Sequence, residues 1–220
     1  MARMPRILSV DPQSPDPQVV QEVVKVLRAE GLVALPTDTL YGLAADIFSE
    51  TTLERVVALK GRPHDKPIPI FVSSVEALDM VAVAVPDAAR RLTQQFWPGP
   101  LTLILAASPD IPEMITAGTR TVGVRIPRLP LIAEILESMD CPLTGTSANK
   151  SGGINPVSLK DVLGSIGSKV DLLLDGGKAP GGVASTVLDC TQSPFRIIRE
   201  GAIAGEVLAA VLEPGDLGPS

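Results

Sequence analysis

The sequence predicts an α/β protein built on a mixed sheet with covering helices. Three observations carry that prediction. Apolar runs of strand length alternate with capped, amphipathic segments of helix length for much of the chain, the pattern of a sheet covered by helices. Late in the chain strands outnumber helices, which favours a mixed over a purely parallel sheet. Apolar residues make up 45% of the 220, enough to bury a core. No repeat or linker divides the middle. Residues 1–220 therefore read as one domain with a core at about 17–212, flanked by Pro- and Gly-rich tails at 11–17 and 213–220.

The elements follow in order. Asp16 and Pro17 read as an N-cap and first helical residue, Val19, Val20, Val23, Val24 and Leu27 form one apolar stripe, and Gly31 ends the helix. Residues 32–36 form a short buried strand. Thr51 to Glu54 fits a capping box for a helix through Leu59, closed by Gly61. A strand at 68–72 precedes a second capping box at 73–76, and a longer helix spans about 86–96. Strands are then expected at 101–106, 122–126, 143–146, 172–174, 186–188 and 196–198. Helices between them are expected at 131–139, after Ser158, and at 204–212.

Composition removes whole classes of function. Net charge is −6, whereas a general nucleic-acid binder is usually basic; a local basic patch stays compatible with that total. Aromatics are 3%, too few for a surface that stacks bases. One His (His64) and two Cys (Cys141, Cys190) are too few for a His/Cys zinc site, and any triad would have to use His64. The cysteines form no CxxC and read as reduced thiols. The N-terminal apolar stretch is short for a signal peptide and no run is long enough to span a bilayer, so a cytoplasmic, non-membrane protein is expected.

Polar loops hold the candidate chemistry. Residues 36–43, PTDTLYGL, leave the carboxyl end of a buried strand, where open α/β sheets place ligands. They fit a ligand loop and a capped polar turn equally. Residues 60–67, KGRPHDKP, gather Lys60, Arg62 and Lys66 at a helix end. The helix dipole accounts for Lys60 alone, so the triple spacing favours anion binding. Residues 144–153, TGTSANKSGG, set hydroxyls, an amide and backbone N–H groups after a strand, which suits a phosphate or carboxylate. Arg125, Asp175, Ser185 and Arg199 each close or open a strand; singly each is more often structural, Arg199 for example by pairing with Glu200 or Asp189. Neither GxxxxGK[ST] nor GxGxxG occurs. Ser147 to Lys150 fits SxxK, but no KTG accompanies it.

Six blocks in order, PTDTLYGL, KGRPHDKP, FWPGPLTLIL, VGVRIP, TSANKSGG and STVLDC, resemble the YrdC-like family, the threonylcarbamoyl-AMP synthases, over roughly residues 17–212. The resemblance implies the short, single-domain form, with an open twisted mixed sheet and a concave basic face. It implies synthesis of L-threonylcarbamoyl-adenylate from L-threonine, bicarbonate or CO2, and ATP with magnesium. The product would pass to a transferase complex that modifies tRNA beside the anticodon, with direct tRNA contact left open. The family's KxR pattern falls on Lys60 and Arg62, expected to neutralise phosphates, and its SxN pattern on Ser147 and Asn149. Thr144, Arg125 and Arg199 are further candidates for ATP, and Thr37, Tyr41, Lys66 and Ser185 for threonine; no protein-held metal is expected. An RNA-binding or maturation module using the basic face without catalysis is the alternative, and carbamoyl transfer, as in hydrogenase-maturation proteins, a third reading.

Overall fold

The structure, a computed structural model, describes residues 5–61 and 66–218. Eleven strands are found among these residues: β1 (Arg6–Ser9), β2 (Val33–Pro36), β3 (Tyr41–Ala44), β4 (Ile70–Phe71), β5 (Leu101–Ala106), β6 (Thr121–Arg125), β7 (Leu143–Thr144), β8 (Thr146–Ser147), β9 (Leu172–Asp175), β10 (Thr186–Asp189) and β11 (Arg196–Arg199). The helices are α1 (Pro17–Arg28), α2 (Glu50–Lys60), α3 (Leu78–Val81), α4 (Asp87–Phe96), α5 (Glu113–Thr116), α6 (Pro130–Met139), α7 (Leu159–Ser165) and α8 (Gly205–Ala209). The expected α/β class with mixed pairing is what forms, with the strands divided between two sheets. One runs β1-β9-β2-β3-β8 and the other β11-β10-β5-β6-β4-β7, and each contains parallel and antiparallel pairs.

α1 is built as its sequence indicates. The Asp16 carboxylate accepts from the Gln18 N–H at 2.8 Å, Pro17 opens the helix, and Val20, Val23, Val24 and Leu27 are buried. That face packs on α6, β2 and β9 in a core of its own, where each fully buried Val or Leu stabilises by about 1.5–3 kcal/mol. A larger core, around β3, α2, β5 and β6, supports the opposite side.

Several local expectations yield to tertiary pairing. The helix expected to begin at the Thr51 box is capped by Ser49, whose hydroxyl accepts from the Thr52 N–H at 3.2 Å; Gly61 closes it as expected. The strand expected at 68–72 pairs only at Ile70–Phe71, and the box expected at 73–76 leads into a single turn at Leu78–Val81. The Tyr41–Ala44 half of the first polar loop is itself a strand, pairing Pro36 with Tyr41 across a four-residue turn. Residues 11–17 are no tail: β1 precedes them and pairs with β9, and the Pro12 carbonyl accepts from Leu131 N–H at 3.1 Å. The 213–218 stretch is tied down too, since Asp216 takes the Arg91 guanidinium at 3.0 Å and Phe195 N–H donates to its carbonyl at 2.7 Å.

The break in the 143–146 strand matters most for the site. β7 pairs with β4 in one sheet and β8 with β3 in the other, so Gly145 is the hinge between the sheets. A Cβ at Gly145 would lie 2.6 Å from the Phe71 ring, so the two segments approach only because position 145 has no side chain.

Candidate active site

A cavity of about 560 Å³ opens where the two sheets meet. Its walls come from the 37–42 turn, the end of α2, β4 to β6, the 145–155 loop and the starts of β10 and the end of β11. Four cations, Lys60, Lys66, Arg125 and Arg199, line it among the described residues, and no Asp or Glu does. Such a concave, one-signed lining focuses field on an anion. Sequence-distant loops thus converge: Thr37, Tyr41, Lys60, Lys66, Arg125, Ser147, Asn149, Ser185 and Arg199 all face this space. Arg62 and His64 lie outside the described residues.

Thr144 does not belong with them. It is fully buried, its hydroxyl donates to the Leu43 carbonyl at 2.7 Å, and it does not line the cavity. Its expected contact with ATP is withdrawn, because the side chain is consumed in tying β7 to β3. The wall residues the sequence reading missed include Thr102, Thr121, Asn155 and Gly123. A glycine inside a strand marks close backbone approach, so Gly123 and Gly145 carried a readable signal. The threonines on β5 and β6 carried none, since their facing depends on register.

The 145–155 loop is held by Lys60. Lys60 is only 3% exposed, and its ammonium donates to the Ser147 carbonyl, to Asn149 Oδ1 at 3.0 Å and, more weakly, to Ser147 Oγ at 3.4 Å. Asn149 Oδ1 also accepts from Ser147 Oγ at 2.7 Å, and its Nδ2 donates to the Gly153 and Ile154 carbonyls at 3.1 and 2.9 Å. Ser151 N–H returns to the Lys60 carbonyl at 2.9 Å. Asn149 is therefore fully engaged in folding the loop around the Lys60 charge.

Opposite, Thr37 Oγ1 accepts from the Thr39 and Leu40 N–H groups and donates to the Leu40 carbonyl, fixing the 37–40 turn. The Tyr41 hydroxyl donates to the Gly177 carbonyl at 2.7 Å and accepts from Gly176 N–H at 3.2 Å, so it is taken up by the 176–177 backbone. Burial pushes the Tyr41 phenol above its ordinary pKa, which keeps it a donor. Arg199 pairs with neither Glu200 nor Asp189 among the described ion pairs; it donates to the Ser185 carbonyl at 2.8 Å, and Ser185 Oγ lies 2.9 Å from Thr102 Oγ1.

The cysteines take no part. Burial, with Asp46 and Asp140 adding to it, pushes the Cys141 thiol up to about 11, and burial raises Cys190 further. A thiol whose pKa rises on folding stabilises the fold fully below its unfolded value, and that contribution is lost as pH climbs from there through about 11. Alkylation of Cys141 in the folded protein, followed against pH, is expected to reach its midpoint near 11; a midpoint at the free-thiol value would refute this.

The comparisons with known proteins now bear on the cavity. Residues 25–201 match the Sua5/YciO/YrdC family model, described as "Telomere recombination". The chain belongs to the Sua5/YciO/YrdC family. It is 39% identical over 186 residues to the threonylcarbamoyl-AMP synthase of Pyrococcus abyssi, covering 84% of this chain and 55% of that one. It is 35% identical over 200 residues to the Bacillus subtilis synthase, covering 90% and 58%. The chain thus spans a little over half the length of these curated relatives. The crystal structure of P. abyssi Sua5 complexed with L-threonine superposes with a TM-score of 0.92 at 35% identity, covering 97% of this chain and 62% of that one. Each of the six sequence blocks contributes described residues to the cavity wall.

Proposed function

We propose that this Sua5/YciO/YrdC chain is a threonylcarbamoyl-AMP synthase. One observation carries the reading: in a chain of this family, the six sequence blocks help to wall a cavity that, among the described residues, is lined by four cations and several hydroxyls and by no carboxylate. ATP brings the anion for such a wall, and the P. abyssi relative in complex with L-threonine supports the amino acid as second substrate.

In the reaction, the threonine amine adds to CO2 supplied by bicarbonate and loses a proton, giving a carbamate. A carbamate oxygen attacks the α-phosphorus of ATP, the bond to the β-phosphate bridging oxygen breaks, and pyrophosphate leaves with that electron pair. The protein's work is positioning and charge neutralisation rather than covalent catalysis. Lys60 and Arg62 neutralise phosphate charge. Ser147 and Asn149 act mainly by holding Lys60 and presenting the backbone of their loop. Arg199 contacts the nucleotide, while Thr37, Tyr41, Lys66 and Ser185 bound the threonine side. No group of three His, Cys, Asp or Glu among the described residues could hold a metal. Magnesium would enter as MgATP, held by phosphate oxygens and water. The adenylate is passed to a tRNA-modifying transferase, in the cytoplasm; no helix among the described residues is long and apolar enough to cross a membrane.

The test is pyrophosphate release that requires ATP, L-threonine and bicarbonate together, with the adenylate identified by mass. Ligand linkage gives a second readout: at ten times Kd a substrate stabilises the fold by about 1.4 kcal/mol, raising Tm by roughly 3–6 °C for a chain of this size. RNA binding that falls steeply with salt, with neither substrate shifting Tm, would favour the non-catalytic module instead.

A further inference from the structure

Arg125, at the end of β6, lines the cavity yet is only 4% exposed. Its ion pair with Asp38 differs in kind from the other described pairs. Here the two side chains are 5% and 12% exposed, whereas in every other pair each side chain is at least 29% exposed. Exposed pairs contribute little, while removing one partner of a buried pair leaves an uncompensated charge. The Asp38–Arg125 contact is therefore the described ion pair with the most at stake, and it sits behind the cavity wall.

The guanidinium is restrained on each side. Nε donates to the Gly99 carbonyl at 2.9 Å, Nη1 to Thr39 Oγ1 at 2.9 Å and Nη2 to Asp38 Oδ1. The Phe71 ring lies 5.8 Å from its carbon. Two consecutive residues of one tight turn thus take one terminal nitrogen each, and the Thr37 hydroxyl fixes that turn. Burial lowers the Arg125 pKa and the Arg199 charge adds to that, while Asp38 opposes both. A guanidinium has five N–H donors. Three are used here, and one hydrogen on each terminal nitrogen has no partner among the described residues. Buried, unused donors on a cation beside an open cavity call for an acceptor. Two donors on adjacent nitrogens suit the two oxygens of a carboxylate or phosphate.

We propose that Asp38 is a positioning residue, which fixes and neutralises the back of Arg125 so that its remaining two N–H groups grip an oxyanion of a substrate. The inference rests on the synthase reading, in which two substrates bring such a group: threonine its carboxylate and ATP its phosphates. Asp38 itself does not line the cavity and touches no substrate; it acts through Arg125.

The experiment compares wild type, Asp38→Asn and Asp38→Glu by calorimetric titration with L-threonine and with MgATP, alongside kcat, KM and Tm. Asn keeps the shape and an acceptor oxygen but loses the charge; Glu keeps the charge on a longer arm. The expected result is that Asp38→Asn weakens one substrate at least tenfold in Kd and KM, leaves the other within threefold, and lowers kcat less. Asp38→Glu recovers most of the loss. A loss confined to threonine assigns the carboxylate to Arg125, and a loss confined to ATP assigns a phosphate. Should Asp38→Asn fail to fold, Thr39→Val, which removes the Nη1 acceptor together with the 3.1 Å contact to the Thr37 hydroxyl, is expected to give the same selective loss at smaller size.

Equal affinities in wild type and Asp38→Asn would overturn the inference. So would a parallel loss of both substrates with a fall in Tm that Asp38→Glu does not reverse, since that describes a structural brace. Binding is read without turnover, so the two claims fail separately. Wild-type protein that binds its substrates but releases no pyrophosphate sinks the synthase reading alone, and wild type that binds neither overturns both.

Discussion

Lys60→Met is expected to lower pyrophosphate release by about a hundred- to a thousand-fold, or ~3–4 kcal/mol of transition-state stabilisation, the range seen when one pre-organised electrostatic partner is removed. Met keeps much of the length and apolar stem of Lys but removes the ammonium. Two consequences follow from the geometry. The charge that lies at the root of the 145–155 loop disappears, and with it the cation nearest the Ser147–Asn149 pair. The Ser147 carbonyl and Asn149 Oδ1 also lose their shared donor, but each keeps another, Asn149 N–H at 2.9 Å and Ser147 Oγ at 2.7 Å, so the stability cost stays below the roughly 1–3 kcal/mol of an acceptor left with no partner. Activity and stability are thus both expected to fall, activity by far the more. Single-turnover pyrophosphate release at saturating substrates, with Tm on the same sample, separates them. A folded Lys60→Met protein that retains activity within threefold of wild type would contradict the role assigned to this cation.

Gly201→Ala is expected to destabilise the protein by about 1–3 kcal/mol, the usual cost of forcing an extra group into a packed site. The added Cβ would lie 2.3 Å from the Ala184 carbonyl oxygen and 2.6 Å from the carbon and oxygen of Ser185. These are backbone atoms, which cannot swing aside like the end of a long side chain. The 184–186 segment is also pinned, because Ala202 N–H donates to Ala184 O at 2.9 Å and Gly201 N–H to Thr186 Oγ1 at 3.0 Å. Relief must come by moving Ser185, whose carbonyl receives Arg199 at 2.8 Å. Denaturant titration is expected to show a lower midpoint, and the affinities for ATP and threonine to weaken together. A variant with wild-type stability and wild-type affinities would show that the 184–185 and 201 segments can part without consequence.

How legible was this arrangement? α1 and α6 were legible because their signals are local: an Asp–Pro start and an apolar stripe of helical period on α1, and apolar residues at helical spacing interrupted by Glu134 and Glu137 on α6. The capping box at Ser158 is likewise local, with Asp161 completing it. The hairpin at 36–41 was half legible. Its polar residues announced a turn, but the Tyr41–Ala44 strand that follows is defined only by pairing with β2 and β8. The single strand read at 143–146 became two for the same reason, since its halves find partners in different sheets. Of the site candidates, those in dense motif blocks arrive together at the cavity, while Thr144, inside the same block, points into the core. Alternation along a strand divides facing side chains, and composition cannot say which member of the pair looks inward.

By itself the sequence determined the mixed α/β class, the family and the loops that hold the polar chemistry. Each of these rests on composition, short-range spacing or ordered motifs. Only the tertiary structure decided that Asp38, Thr39 and Gly99 surround Arg125, across separations of 87, 86 and 26 residues. It also decided that Asn149 serves Lys60 from 89 residues away. Such contacts depend on which strands pair and in what register, and those are settled by burying the two cores rather than by any neighbour in the chain.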